Sequence, residues 1–175
     1  MTVFSKDQCK VFIPNADGWR MIQLPTKFFL ASGKATSSIS GLNAFDQALV
    51  AAGISEANLV PVSSVLPRGI KQIKRSRIER GAMTFCVLAR EDGRGGRTIS
   101  AGLAFVLRGD GTGGYVAEGH LHGTAAELRA ELEARAKQMA DHRGVRIEEP
   151  VFRIEELKIP KGKFGSCMAA LIFLP

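Results

Sequence analysis

Asn58-Leu59-Val60-Pro61-Val62-Ser63-Ser64-Val65-Leu66-Pro67 is the stretch on which the reading of this chain turns. It begins as an apolar, β-branched run, the composition of a half-buried strand. It gives out at two adjacent hydroxyls, and a proline follows shortly after. Serines at a strand end are ordinary turn formers, and a solvated turn accounts for the pair taken alone. The same two residues also permit self-processing. Attack of Ser64 Oγ on the Ser63 carbonyl turns the amide into an ester. β-Elimination of that ester cuts the chain and leaves a dehydroalanine, which hydrolyses to a pyruvoyl group at the new amino terminus. Such a carbonyl is an electron sink of the kind that pyridoxal phosphate provides.

Upstream, Leu42 to Ala52 reads as an amphipathic helix, with Leu42, Phe45, Leu49 and Ala52 as its apolar stripe and Gly53 as the C′ residue. Asp46 near its start complements the helix dipole on the plain reading. A Ser/Gly-rich loop, Gly33 to Gly41, precedes the helix, and a strand through Lys27–Ala31 precedes the loop. The first 19 residues, with the turn cluster Pro14–Gly18, read as an extension or an edge hairpin. Downstream, residues 67–80 read as a long loop. Ala82–Arg90 and Thr98–Arg108 read as strands joined by a glycine-rich hairpin turn, and Tyr115–His120 as a further strand. Thr124–His142 is a helix opened by the capping box Thr124-Ala125-Ala126-Glu127, with Leu128, Leu132, Ala136 and Met139 as its stripe. Strands at 146–157 and 165–174 close the chain. Two helices among about seven strands, with hairpins and helical connections mixed, indicate an α+β fold.

At 175 residues and 45% hydrophobic content the chain can bury a substantial core, and its length suggests a single domain, 1–175. No apolar run approaches a membrane span and no signal-peptide core follows Met1, so a cytoplasmic protein is expected. Cys9, Cys86 and Cys167 show no metal or redox spacing, and the last two lie in apolar runs as buried free thiols. The net charge of +7 is concentrated in Arg68, Lys71, Lys74, Arg75, Arg77 and Arg80. No aromatic residue is interleaved with them, so a solvated basic loop is the reading and nucleic-acid binding is not expected. His120 and His122 would share one strand face, but no third ligand accompanies them at a recognisable spacing, and no metal is expected.

A larger pattern surrounds the two serines. Leu42-Asn43-Ala44-Phe45-Asp46-Gln47-Ala48-Leu49, Ala52-Gly53-Ile54, Asn58-Leu59, Ser63-Ser64-Val65-Leu66-Pro67, Gly81-Ala82, Thr98-Ile99-Ser100-Ala101, Glu118 and Gly165-Ser166-Cys167-Met168-Ala169-Ala170 together resemble the pyruvoyl-dependent arginine decarboxylase family, over roughly residues 23 to 174. The resemblance implies a four-layer αββα sandwich, assembled as a homotrimer with sites between neighbouring subunits. It implies self-cleavage into residues 1–63, the β chain, and residues 64–175, the α chain, with Ser64 becoming a covalent pyruvoyl group. The implied reaction takes L-arginine to agmatine and CO2 through a Schiff base with that group. Asn58 matches the asparagine implicated in cleavage, where an amide can donate to an oxyanion. Glu118 matches the glutamate that protonates the substrate carbon, which calls for a raised pKa. Asp46 matches the aspartate that takes the guanidinium, and Ser63, the new carboxyl terminus, lies at the substrate. His120 and His122 stand where the family often has a second acid, and Pro67-Arg68 where it commonly has Pro-Pro. Two alternatives stay open: the same chemistry on another amino acid, and an unprocessed relative that binds a partner or nucleic acid through residues 68–80.

Overall fold

Every residue from Gly165 to Phe173 is buried, and so is every residue from Ile99 to Val106. A strand buries consecutive residues only when both of its faces are covered, so both stretches must lie inside layers. The computed structural model, which describes residues 12–15, 18–21 and 24–175, shows those layers. In chain order the elements are β1 (Phe12–Asn15), β2 (Gly18–Met21), β3 (Lys27–Ser37), α1 (Gly41–Ala52), β4 (Asn58–Pro61), β5 (Val65–Leu66) and β6 (Lys71–Gln72). They continue with β7 (Met83–Arg94), β8 (Thr98–Leu107), β9 (Gly114–Leu121), α2 (Ala125–Asp141), β10 (Val151–Lys158) and β11 (Phe164–Leu174).

One sheet has the order β4-β7-β11-β3-β6 and the other β10-β8-β9-β5, while β1 and β2 pair with each other as a hairpin. The period of two along each strand sorts side chains into separate cores. On β3, Phe28 enters the core between the sheets, and Phe29 packs beneath α1. On β11, Ala169, Leu171 and Phe173 face the second sheet, and Met168, Ala170 and Ile172 face α1. On β8, Leu103 and Phe105 point between the sheets, and Ala104 and Val106 meet Leu128, Leu132 and Ala136 of α2. The layers are therefore helix, sheet, sheet, helix: the four-layer α+β sandwich expected above.

The end of α1 and the start of α2 agree with the sequence, and the structure adds Ser40 as the cap that opens α1. Ser40 Oγ accepts from the Asn43 amide at the start of α1, and Gly53, at φ 61°, ends it with its N–H directed to the Leu49 and Val50 carbonyls. Thr124 and Glu127 form the reciprocal capping box of α2. Cys86 and Cys167 are buried free thiols, pushed up to about 11 and about 12, first by desolvation.

Four expectations change. The segment read as a loop from Gly33 is strand as far as Ser37, because Gly33 is a close-approach glycine. A Cβ there would run into the Ala48 carbonyl oxygen of α1. For the same reason the seam of α1 is the small-residue row Ala44, Ala48 and Ala52, whereas Leu42 points outward at 73% exposure. The basic stretch contains a short strand, β6, parallel to β3. The strand placed at 146–157 starts at Val151, after Pro150, with only an isolated bridge from Ile147 to Arg108 before it. Residues 1–11, including Cys9, lie outside the described residues.

Candidate functional site

β4 forms one edge of the five-stranded sheet, and β5 forms the matching edge of the other sheet. Ser63 and Ser64 are the crossing between them. On the upstream side, Val62 N–H donates to the Cys86 carbonyl at 2.9 Å, extending the parallel pairing of β4 with β7. On the downstream side, the Ser64 carbonyl accepts from Val116 N–H at 2.9 Å, extending the pairing of β5 with β9. The bond between the serines thus has its two flanks held by different sheets. Ser63 is exposed and Ser64 half-buried.

The Ser63 carbonyl accepts a hydrogen bond from Val65 N–H at 3.1 Å. That donor spans two residues, the geometry of a γ-turn. It polarises the carbonyl that a Ser64 hydroxyl would attack, and it is placed to stabilise negative charge on that oxygen. Backbone donors leave no mark in sequence, and this one was not foreseen. Asn58, the residue expected to help there, is otherwise engaged. Its Nδ2 donates to the Gly81 carbonyl at 2.8 Å at the far end of β4. Four residues of extended chain from Asn58 to Val62 alone span about 13 Å, so Asn58 and Ser64 do not meet within one protomer.

Glu118 stands on β9 two residues beyond Val116. Tyr115 and Ala117 face α2 and Val116 faces the core between the sheets, so alternation turns Glu118 to the side of the serine crossing. Its carbonyl accepts from Arg135 of α2 at 2.8 Å, which ties this part of β9 to the helix. The side chain is exposed at the rim, yet its carboxyl is raised above the ordinary carboxylate range. Desolvation is the larger cause, and the neighbouring His120 opposes it. Beside it, Glu91 on β7 spans both histidines: Oε2 lies 2.7 Å from His120 Nδ1 and Oε1 lies 3.6 Å from His122 Nε2. The His120–Glu91 pair joins residues 29 apart in sequence, on strands of different sheets, and His122 lies just past the end of β9.

Asp46 is exposed on α1 and has no ion pair among the described residues. Leu42 and Val50, one turn to either side, are exposed apolar neighbours. α1 covers the outer face of the five-stranded sheet, so that sheet separates Asp46 from the serine crossing of its own protomer. Val62, Val65, Met83 and Phe85 are also exposed, around the edge carrying Ser63 and Ser64. The structure therefore brings Ser63, Ser64 and Glu118 to one edge and leaves Asp46 and Asn58 outside it. Among the described residues, no helix is long and apolar enough to cross a membrane.

Comparison with known proteins gives the following likenesses. A family model described as pyruvoyl-dependent arginine decarboxylase matches residues 27–175. A protein of Methanothermobacter thermautotrophicus named pyruvoyl-dependent arginine decarboxylase is 33% identical over 85% of this chain and 96% of its own length. Proteins of the same name from Thermococcus sibiricus and Methanopyrus kandleri are 30% and 28% identical, each over 86% of this chain and 96% and 97% of their own lengths.

Proposed function

Because the chain belongs to the pyruvoyl-dependent arginine decarboxylase family, we propose that it converts L-arginine to agmatine and CO2 in the cytoplasm, with a pyruvoyl group made from its own Ser64. The observation that carries this reading is the setting of the Ser63–Ser64 bond, whose flanks are held by separate sheets beside a carboxyl of raised pKa. The residues fit such a group. With the bond cut, Ser63 stays with β4, and residue 64 stays hydrogen-bonded to Val116, so neither new terminus loses its strand. The single domain would then consist of residues 1–63 and 64–175. Once formed, the pyruvoyl carbonyl supplies the electron sink that decarboxylation needs.

The chain's own residues supply the rest. Val65 N–H polarises the Ser63 carbonyl during maturation. Glu118, whose desolvation favours the protonated form, holds the proton that the α-carbon takes up after CO2 leaves. A guanidinium asks for a carboxylate fork, and Asp46, without an ion pair among the described residues, offers one, with Leu42 and Val50 to cover the substrate's aliphatic stem. The separation of Asp46 and Asn58 from Ser64 within a protomer supports a site shared between subunits. The exposed Val62, Val65, Met83 and Phe85 support the same arrangement. We assign it to a homotrimer of cleaved protomers, in which Asp46 of the partner subunit faces Ser64.

Intact mass under denaturing conditions tests the proposal. The expected result is a chain ending at Ser63 and a second chain beginning with a blocked residue 64, together with CO2 release from arginine in preference to lysine or ornithine. Ser64→Ala is expected to give one unbroken, inactive chain. A wild-type chain that stays whole after long incubation, without CO2 release, would overturn it.

A further inference from the structure

At the edge of the sandwich opposite Ser64, where β6 and β10 end the two sheets, the basic stretch borders an open cavity of about 600 Å³. Among the described residues, Lys74, Arg75 and Arg153 line it, no carboxylate does, and Leu30, Ile73 and Phe152 form its apolar wall. The nearest acid on β10, Glu155, is taken by Ser32 at 2.9 Å and by Lys34 at 3.3 Å. Lys74 and Arg153 have no ion-pair partner among the described residues. Arg75 is fixed by a hydrogen bond from its guanidinium to the Ala52 carbonyl at the end of α1. That position is open only because residue 53 is glycine: a Cβ there would occupy the place of the guanidinium. Arg75 also lines a second cavity of about 580 Å³, with Arg77 and Arg80, where Glu56, the one acid among the described lining residues, is paired with Arg80 at 2.8 Å.

Unpaired cations around a concave, partly apolar space repel one another, and a bound anion relieves that repulsion. Arginine and lysine in this arrangement suit phosphate or carboxylate groups, and the volume is that of a small-molecule site. We propose that this basic cavity binds a small organic anion carrying at least two negative charges, held by Lys74, Arg75 and Arg153, with its carbon framework against Ile73 and Phe152. The concave shape favours a small ligand over a nucleic acid. Arg129 lies over one face of the Phe152 ring at 3.8 Å, so that face is not open for a base to stack on.

The test is calorimetric titration of the purified full-length protein with pyrophosphate, ATP and citrate at low salt, the three probes separating phosphate from carboxylate sources. Saturable binding at one site per chain is expected for at least one probe. The double variant Lys74→Glu/Arg153→Glu is expected to weaken it at least tenfold. The control Arg97→Glu/Lys161→Glu, which changes net charge equally at the exposed β7–β8 end, is expected to leave it unchanged. Lys74→Gln serves where the double variant does not fold, with a several-fold loss expected. Absence of saturation with every probe at millimolar concentration would overturn the proposal. Equal weakening by the control would do the same, and so would binding confined to RNA or DNA with a steep salt dependence.

Discussion

Gly33→Ala is the substitution that most directly tests the packing argument. Gly33 sits in mid-strand with α1 lying directly on it. A Cβ would strike the Ala48 carbonyl oxygen, come within 2.7 Å of Ala52 N and within 3.1 Å of Ala52 Cβ. The first two contacts are backbone, so no rotamer change relieves them, and the helix itself must lift. Inserting a methyl into a packed site costs about 1–3 kcal/mol, and an immovable neighbour puts this case at the upper end, about 2–3 kcal/mol. For a chain of this size that lowers the melting temperature by roughly 4–12 °C. Gly41→Ala is the matched control: it lies on the first turn of the same helix with nothing within 4 Å of a Cβ. Helix propensity makes that change neutral or slightly stabilising. Because α1 carries Asp46, the lifted helix of Gly33→Ala is also expected to raise KM for arginine more than it lowers kcat. Thermal melts of both variants at matched protein concentration decide the matter. A Gly33→Ala protein melting within a degree of wild type would refute the close-approach account of this glycine and of the alanine seam opposite it.

Glu118→Gln is expected to lower kcat by about 10²–10⁴-fold, the usual worth of a general acid, while the melting temperature holds or rises. The sign follows from desolvation. A carboxyl raised in the folded state favours folding most below its ordinary value, and that contribution is lost as pH rises through the raised value, so near neutrality Gln removes a penalty. The wild-type rate is expected to fall as the pH passes above the raised Glu118 value, and loss of that alkaline limb in Glu118→Gln checks the assignment. Ser166→Ala removes a buried hydroxyl without a hydrogen-bond partner among the described residues and is expected to stabilise by about 1 kcal/mol, read as a higher urea midpoint. Thr124→Ala breaks the capping box of α2 and is expected to cost about 1 kcal/mol, with Thr124→Ser retaining most of it.

Much of the layering was legible because burial and periodicity are local signals. Thr98–Leu107 and Phe164–Leu174 are mainly apolar, with only Thr98, Ser100 and Ser166 as polar exceptions, which marks them as strands, and Thr124 with Glu127 announces a helix start without help from the rest of the chain. The site was legible only through motif resemblance. Asp46, Asn58 and Glu118 each have an ordinary local explanation, and nothing in their own neighbourhoods separates a solvated acid or a turn amide from a working one. β5, at two residues, is too short to show any period, and its pairing with β9 is what makes the serine pair a bridge between sheets.

From the residues alone came the α+β class, both helices with the glycine end of α1 and the capping box of α2, the buried thiols and the idea that Ser63-Ser64 could cut itself. These rest on spacing and composition within a few turns or strands. Only the tertiary structure decided that Gly33 belongs to a strand and that Leu42 faces outward, since both depend on how closely α1 approaches β3. It alone set Val65 N–H on the Ser63 carbonyl, joined Glu91 to His120 and His122, and kept Asn58 and Asp46 away from Ser64 of the same protomer. Those relations are distances between segments remote in sequence or turns of the backbone itself, and one-dimensional pattern carries neither.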